Sequence, residues 1–294
     1  MNSYKPLQEL TIKDNFLFGA VMCEEENCRR FLEMLLGFPI RRVEVSKEKS
    51  IAYHPEYKGV RLDVYARDEN ETHYNVEMQA IREDALGRRS RYYHSQLDME
   101  LLDRGLKYSS LPHTYVIFIC DFDPFGAKKY CYTFESRCRE SPETDLEDGR
   151  RTIFLSTRGK NDGEVPETMV KFLKFVSAGL KESMQDFGDD FVRSLQSSVQ
   201  RLKSSRELEG RYMLLQEILE DKYAAGKAEG KAEGKAEGEV SKCVDHILKV
   251  LSAKGQIPNK IYDRIASEKD IQCLDEWFQL ALGAETMEDF IKEF

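Results

Sequence analysis

The chain has 294 residues, 41% of them hydrophobic and 33% charged, with a formal net charge of −9. That length allows one substantial domain with an appendage, or two small domains, under a heavily solvated surface. The acidic balance gives no global attraction to polyanions, so any nucleic-acid binding must come from a local basic patch.

No apolar run approaches the roughly 20 residues needed to span a bilayer, and "MNSYKPLQELTIKDN" has no apolar signal core. No membrane partner and no export are therefore expected. The seven cysteines are an odd number and form no C-x-x-C pair. This speaks against a disulfide framework and a zinc knuckle, and points to a reduced, cytoplasmic protein.

In chain order, residues 12–36 read as a helix stopped by Gly37 and Pro39. "RRVEVSKEKSIAY" (41–53) predicts a strand or a bent pair of strands. Residues 60–67 and 73–81 predict two more, joined by the polar turn "DENET". Residues 86–108 suit a long helix, and "TYVIFICDF" (114–122) suits a central strand covered on both faces. Strand-like pieces follow at 129–135 and 152–156.

Residues 166–222 then read as mostly helical, and "GKAEGKAEGKAEGE" occupies 226–239. Residues 240–294 read as a small helical module holding the only tryptophan, Trp277. The expected division is a core over 1–160 and a helical extension over 161–222. The repeat follows as a linker or helix over 223–239, and the module covers 240–294.

Strand alternation places Asp63 with Arg61 and Tyr65 on one face, and Glu77 with His73, Asn75 and Gln79 on one face. If the two strands pair and bury their apolar faces together, both carboxylates emerge on the same side. Like charges on one sheet face are unfavourable. A hard divalent cation removes the objection: magnesium takes carboxylate oxygens at roughly 2.1 Å and keeps several waters. It can then activate water and polarise a phosphodiester. Alternation alone equally describes a hairpin whose polar face meets water.

On the helix that follows, Arg88, Tyr92 and Gln96 fall along one stripe, with Arg89 and Arg91 beside them. Guanidinium groups and tyrosines suit phosphate contacts and base stacking. The same arginines equally suit surface pairing with Glu83 and Asp84.

With "KDNFLFGAVM", "RLDVYA", "YNVEMQ" and "RSRYYHSQLD" in this order, the chain resembles the bacterial Rpn family of recombination-promoting nucleases, or PD-(D/E)xK family transposases, over about residues 8–160. The resemblance implies an α/β fold with a PD-(D/E)xK restriction-endonuclease-like core, αβββαβ, in which helices flank a mixed sheet. A helical C-terminal extension follows it. Asp63 and Glu77 are implied as catalytic and metal-binding acids, with the Met78 backbone carbonyl as a further ligand. Gln79 stands in the place of the usual lysine. A lysine brings positive charge to the attacking water and the developing anion, whereas an amide brings only hydrogen bonds.

Asp14, Arg88, Arg91, Tyr92 and Gln96 are implied as nucleic-acid-binding or supporting residues. The implied activity is that of an endodeoxyribonuclease dependent on Mg2+, with Mn2+ as substitute. It would act on DNA, with RNA left open, in recombination, mobile elements or phage defence. The competing expectation is a nucleic-acid-binding or self-associating regulatory protein whose nuclease site is weak or inactive.

Within the repeat, Lys227, Lys231 and Lys235 align, as do Glu229, Glu233 and Glu237, and no opposite charges fall at i+3 or i+4. Gly226, Gly230, Gly234 and Gly238 each cost a helix about 0.8–1 kcal/mol relative to alanine. A mobile linker is the expectation for the free monomer. The alternative is a helix whose bare glycine stripe packs on a second chain, making the C-terminal region an oligomerisation module.

Overall fold

The apolar and alternating runs pair into one six-stranded sheet in a computed structural model, which describes residues 5–51 and 60–294 except for the side chains at 47, 48, 60 and 61. The strands are β1 (Val43–Ile51), β2 (Val60–Asp68), β3 (His73–Gln79), β4 (Thr114–Cys120), β5 (Cys131–Phe134) and β6 (Arg150–Ser156). They lie in the order β1-β2-β3-β4-β6-β5. The first three form an antiparallel meander; β3, β4 and β6 run parallel, and β5 closes the edge antiparallel to β6. The last residues of the first expected strand, 52–53, and the side chain of Arg61 lie outside the described residues.

Asp68 sets the β2–β3 register. Its Oδ1 accepts the Asn70 and Thr72 amides at 2.8 and 2.9 Å, and its Oδ2 accepts the Tyr74 hydroxyl at 2.8 Å. The polar turn is thereby closed by a side chain, and Val64 falls opposite Val76.

The expected helix over 12–36 is two helices, α1 (Asn15–Met22) and α2 (Glu25–Leu36). The buried Asn27 amide reaches the Val21 carbonyl, Glu24 Oε2 and Ser198 Oγ, each at 3.0 Å. A side chain thus serves the open carbonyl end of α1 and ends it there. The next helix, α3 (Leu86–Leu101), stops well short of residue 108. Its Leu86, Tyr93 and Leu97 pack on Tyr65, Val116, Phe118, Cys120 and Phe154. All seven residues of β3 and of β4 are buried. The polar face of β3 is therefore covered, not solvated.

Two helices from the expected extension, α4 (Glu167–Ser177) and α5 (Asp190–Lys203), complete the layer over α1 and α2. Phe172 meets Phe31 in a tilted contact at 5.4 Å and stacks with Phe191 at 5.8 Å, and Arg201 pairs with Glu24 at 2.7 Å. These elements belong to the first of two compact units, Met1–Met213.

The second unit, Leu214–Phe294, has its own core of Ile247, Leu251, Ile265, Leu274, Trp277 and Phe290. That core is contributed by α6 (Arg206–Ser252), α7 (Asn259–Ser267), α8 (Ile271–Gly283) and α9 (Met287–Glu293).

The repeat lies within α6 and is helical, the second of the two forms considered for it. Lys235 and Glu239 also meet at i+4, 3.7 Å apart, which corrects the charge count. Buried anchors explain the helix: Leu208 and Tyr212 precede the repeat, and Ile247 and Leu251 follow it. With nucleation met at both ends, alanine, lysine and glutamate need only propagate the helix. A Cβ at Gly230 or Gly234 would meet nothing within 4 Å. Each of Gly230→Ala and Gly234→Ala should therefore slow amide hydrogen exchange across the repeat about four-fold. Unchanged exchange would mean that the repeat is not helical in solution.

Candidate active site

The β2–β3 ladder reaches Val64–Val76, and one more step in the same register sets Asp63 across from Glu77. Here side chains take over from the ladder. The Asp63 amide donates to Glu77 Oε1 at 3.2 Å, and the Met78 amide donates to Asp63 Oδ2 at 3.3 Å. Each carboxylate is thus tied to the main chain of the other strand.

Parallel pairing sets Glu77 beside Phe118 and Gln79 beside Cys120, on the sheet face covered by α3. Glu77 is 1% exposed and Asp63 is half-buried. Burial, and then the neighbouring Asp63 charge, push the Glu77 carboxyl up to about 7. Arg89 pulls it the other way.

Arg89 is the hub of the cluster. Its Nη2 donates to Glu77 Oε2 at 2.7 Å, and its Nη1 donates to Gln79 Oε1 at 3.1 Å and Glu83 Oε2 at 3.0 Å. Its Nε donates to the Tyr93 hydroxyl at 2.7 Å, and that hydroxyl donates to Glu77 Oε2 at 3.4 Å. Burial and the Glu77 charge push Tyr93 up to about 12, so it remains a donor. The Gln79 amide nitrogen donates to the Ile81 carbonyl at 2.9 Å.

The sequence stripe ran one residue away from this hub. Leu86, Ser90, Tyr93 and Leu97 form the buried face of α3, so the basic residue one turn before Tyr93 reaches the acids. Arg88 and Arg91 are exposed, Tyr92 is half-buried against the core, and Gln96 is buried. The spacing of Leu86, Tyr93 and Leu97 was the available signal for Arg89.

Asp14 caps α1 by accepting the Phe16 amide at 3.1 Å, and burial raises its pKa. Among the described residues no group of three acids, histidines or cysteines gathers to hold a metal, so Asp14 is not brought to Asp63 and Glu77 in that way.

Beyond the acids, the C-terminal ends of the parallel strands collect further cations that the sequence reading did not single out. Asp121 follows β4, and its amide donates to the Gln79 carbonyl at 3.0 Å. Lys13 meets the Asp121 carboxylate at 3.0 Å and Arg158 meets it at 3.3 Å. Arg82 donates to the Asp123 carbonyl at 3.2 Å. Such strand ends are where open α/β sheets bind ligands.

The two acids form an oxygen-only donor set, and their charges repel. That fits a hard divalent cation, which binds through one or two carboxylates and keeps its remaining waters.

A mixed sheet flanked by helices, with this acid pair across parting strands and E-x-Q on the second, belongs to the nuclease class of α/β folds. The chain belongs to the PD-(D/E)XK nuclease family transposases, whose family model matches residues 13–223. Membership supports a nuclease-type function, and PD-(D/E)XK nucleases typically use divalent metals. No curated protein and no solved structure matches the chain. Among the described residues no helix is long and apolar enough to cross a membrane.

The raised Glu77 value has a consequence for stability. Between its ordinary 4.5 and about 7, the native state holds a proton that the unfolded chain has released. Stability therefore falls as pH rises through that window. Glu77→Gln removes this titration. From about pH 4 to about pH 8 the metal-free variant should gain on the order of 3 kcal/mol relative to wild type, read by urea unfolding. The same difference at both pH values would put Glu77 in the ordinary carboxylate range.

Proposed function

We propose that the protein is an Mg2+-dependent endodeoxyribonuclease, with Mn2+ as a substitute, that hydrolyses DNA phosphodiester bonds. The observation that carries this reading is the Asp63–Glu77 pair, held across the parting of β2 and β3 beneath a guanidinium. A divalent cation there supplies an acidified water and a Lewis acid for the phosphoryl oxygen.

In this reading Asp63 and Glu77 hold the cation, with the Met78 carbonyl as a third oxygen, and Gln79 orders the site through its amide. Arg88, Arg91 and Tyr92 face the nucleic-acid backbone from α3, with Lys13, Arg82 and Arg158 as the facing rim. Asp14 and Gln96 support the first turn of α1 and the underside of α3. The local cations answer the handicap of a −9 chain.

We further propose the division into a core (1–160), a helical extension (161–222), the repeat (223–239) and a C-terminal module (240–294). Self-association runs through the C-terminal region. The working compartment is the cytoplasm, in keeping with seven free thiols among the described residues, and the role lies in recombination, mobile elements or phage defence.

One observation favours a second reading, binding without cleavage: Gln79 carries no charge, and Glu77 is already paired by Arg89.

Plasmid DNA and a structured RNA incubated with Mg2+ test the two. Wild type should cleave the DNA, and Asp63→Ala and Glu77→Ala should each lose at least about a hundred-fold in rate. Equal cleavage by wild type and Glu77→Ala would remove Glu77 from the mechanism. Salt-sensitive binding with no cleavage would select the second reading.

A further inference from the structure

We propose that Arg89 is a catalytic residue: from α3 it supplies the positive charge that Gln79 does not, and donates to the scissile phosphate. This rests on the endonuclease reading above.

The guanidinium holds both functional side chains of the E-x-Q motif, Glu77 through Nη2 at 2.7 Å and Gln79 through Nη1 at 3.1 Å. Gln79 and Arg89 are a matched pair. The amide oxygen at 79 accepts an Arg89 N–H, whereas a lysine ammonium there would repel the guanidinium and has no acceptor to offer. The substitution that removes charge from β3 is thus the one that lets a cation on α3 come in.

Arginine has five N–H donors and does not give up its proton in proteins. Four of the five are engaged among the described residues: Nε on Tyr93, both Nη1 protons on Gln79 and Glu83, and one Nη2 proton on Glu77. The fifth is on Nη2, the nitrogen beside the Glu77 carboxylate. The group also sits over two aromatic rings, its Cζ 5.1 Å from the Tyr93 ring centroid and 5.7 Å from that of Phe118. Its side chain remains 32% exposed, leaving an approach from solvent. A fixed, charged donor beside the acids is what stabilises a phosphorane-like anion best, because it needs no reorganisation as charge develops.

The step balances without a proton from Arg89. The water oxygen bonds to phosphorus while the bond from phosphorus to the leaving sugar oxygen breaks. The water's proton passes to solvent, and the leaving oxygen takes one from solvent. Nη2–H donates throughout to the non-bridging oxygen.

The test compares wild type, Arg89→Gln, Arg89→Lys and the double variant Gln79→Lys/Arg89→Gln. Each is assayed for plasmid cleavage with Mg2+, for Mn2+ affinity by calorimetry without DNA, and for melting temperature. Arg89→Gln should cleave about 10²–10³-fold more slowly yet bind Mn2+ at least as tightly, because Glu77 has lost a competing cation. Arg89→Lys should retain part of the rate, and the double variant should recover at least about ten-fold over Arg89→Gln.

A purely structural arginine predicts otherwise: Mn2+ affinity and melting temperature fall with the rate, and moving the charge to position 79 restores nothing. That pattern overturns the proposal, as does cleavage by Arg89→Gln within about three-fold of wild type. A wild type that cleaves no substrate overturns the endonuclease reading, and this proposal with it.

Discussion

Burying Glu77 is the constraint that the structure around it serves. A carboxylate almost out of reach of water must be neutralised or given donors. Glu77 receives an amide from Asp63, a guanidinium from Arg89 and a hydroxyl from Tyr93. Removing one partner of such a buried pair typically costs about 3–5 kcal/mol, so the helix that carries two of the three must be held firmly. Its start is unusual: Ala85 has φ 63°, in the left-handed region, and its carbonyl accepts both the Arg88 and Arg89 amides. A non-glycine residue there costs roughly 1–2 kcal/mol. The return is a helix that begins abruptly, one turn before Tyr93, with Arg89 over the acids.

The far side of the same helix is fixed by different chemistry. His94 is almost wholly buried, with Nδ1 2.9 Å from Thr114 Oγ1 and Nε2 3.1 Å from Thr152 Oγ1. Burial drops its pKa to about 4, so it is a neutral strut between the first residue of β4 and the body of β6. The helix is therefore fastened to the parallel strands at two points. The charged one lies over Glu77 of β3, and the neutral one lies over β4 and β6. Between them Leu97 and Tyr93 supply the apolar contact. A site on a helix held in this way has little freedom to rotate, and this suits a guanidinium whose place must be set to a fraction of an ångström.

Much of this was legible in the residues. The period of two in 60–67 and 73–79 put Asp63 and Glu77 on one face, and the apolar run at 114–120 announced a strand covered twice. What alternation cannot say is what lies over a face. The polar side of β3 read as either solvent or metal site, and the answer depended on where Leu86 and Leu97 pulled the next helix. The same rotation decided between Arg88 and Arg89, which differ by 100° around a helix. Sequence spacing ranks stripes, and only packing chooses one. The break at Cys23–Glu24 was hidden for a related reason, since Asn27 ends α1 with help from Ser198, a partner 171 residues away. In the repeat the weights run the other way: four glycines disfavour a helix that its anchored ends sustain.

The acidic balance also takes on a different meaning once the charges are placed. Lys13 and Arg158 converge on Asp121, and Arg89 on Glu77, so the cations nearest the candidate site are already paired. Partly exposed ion pairs are worth little, typically under about 1 kcal/mol. Here, however, the Asp121 side chain is only 10% exposed, so Lys13 and Arg158 stay on it and meet an incoming phosphate with their solvent-facing N–H groups. The Arg89–Glu77 pair lies deeper still, and the Glu77 charge cannot be left alone. In the endonuclease reading this divides the labour by burial. The rim cations meet the nucleic-acid backbone with their exposed ends, while the inner pair stays closed and Arg89, already fixed in place, offers its remaining N–H to the substrate.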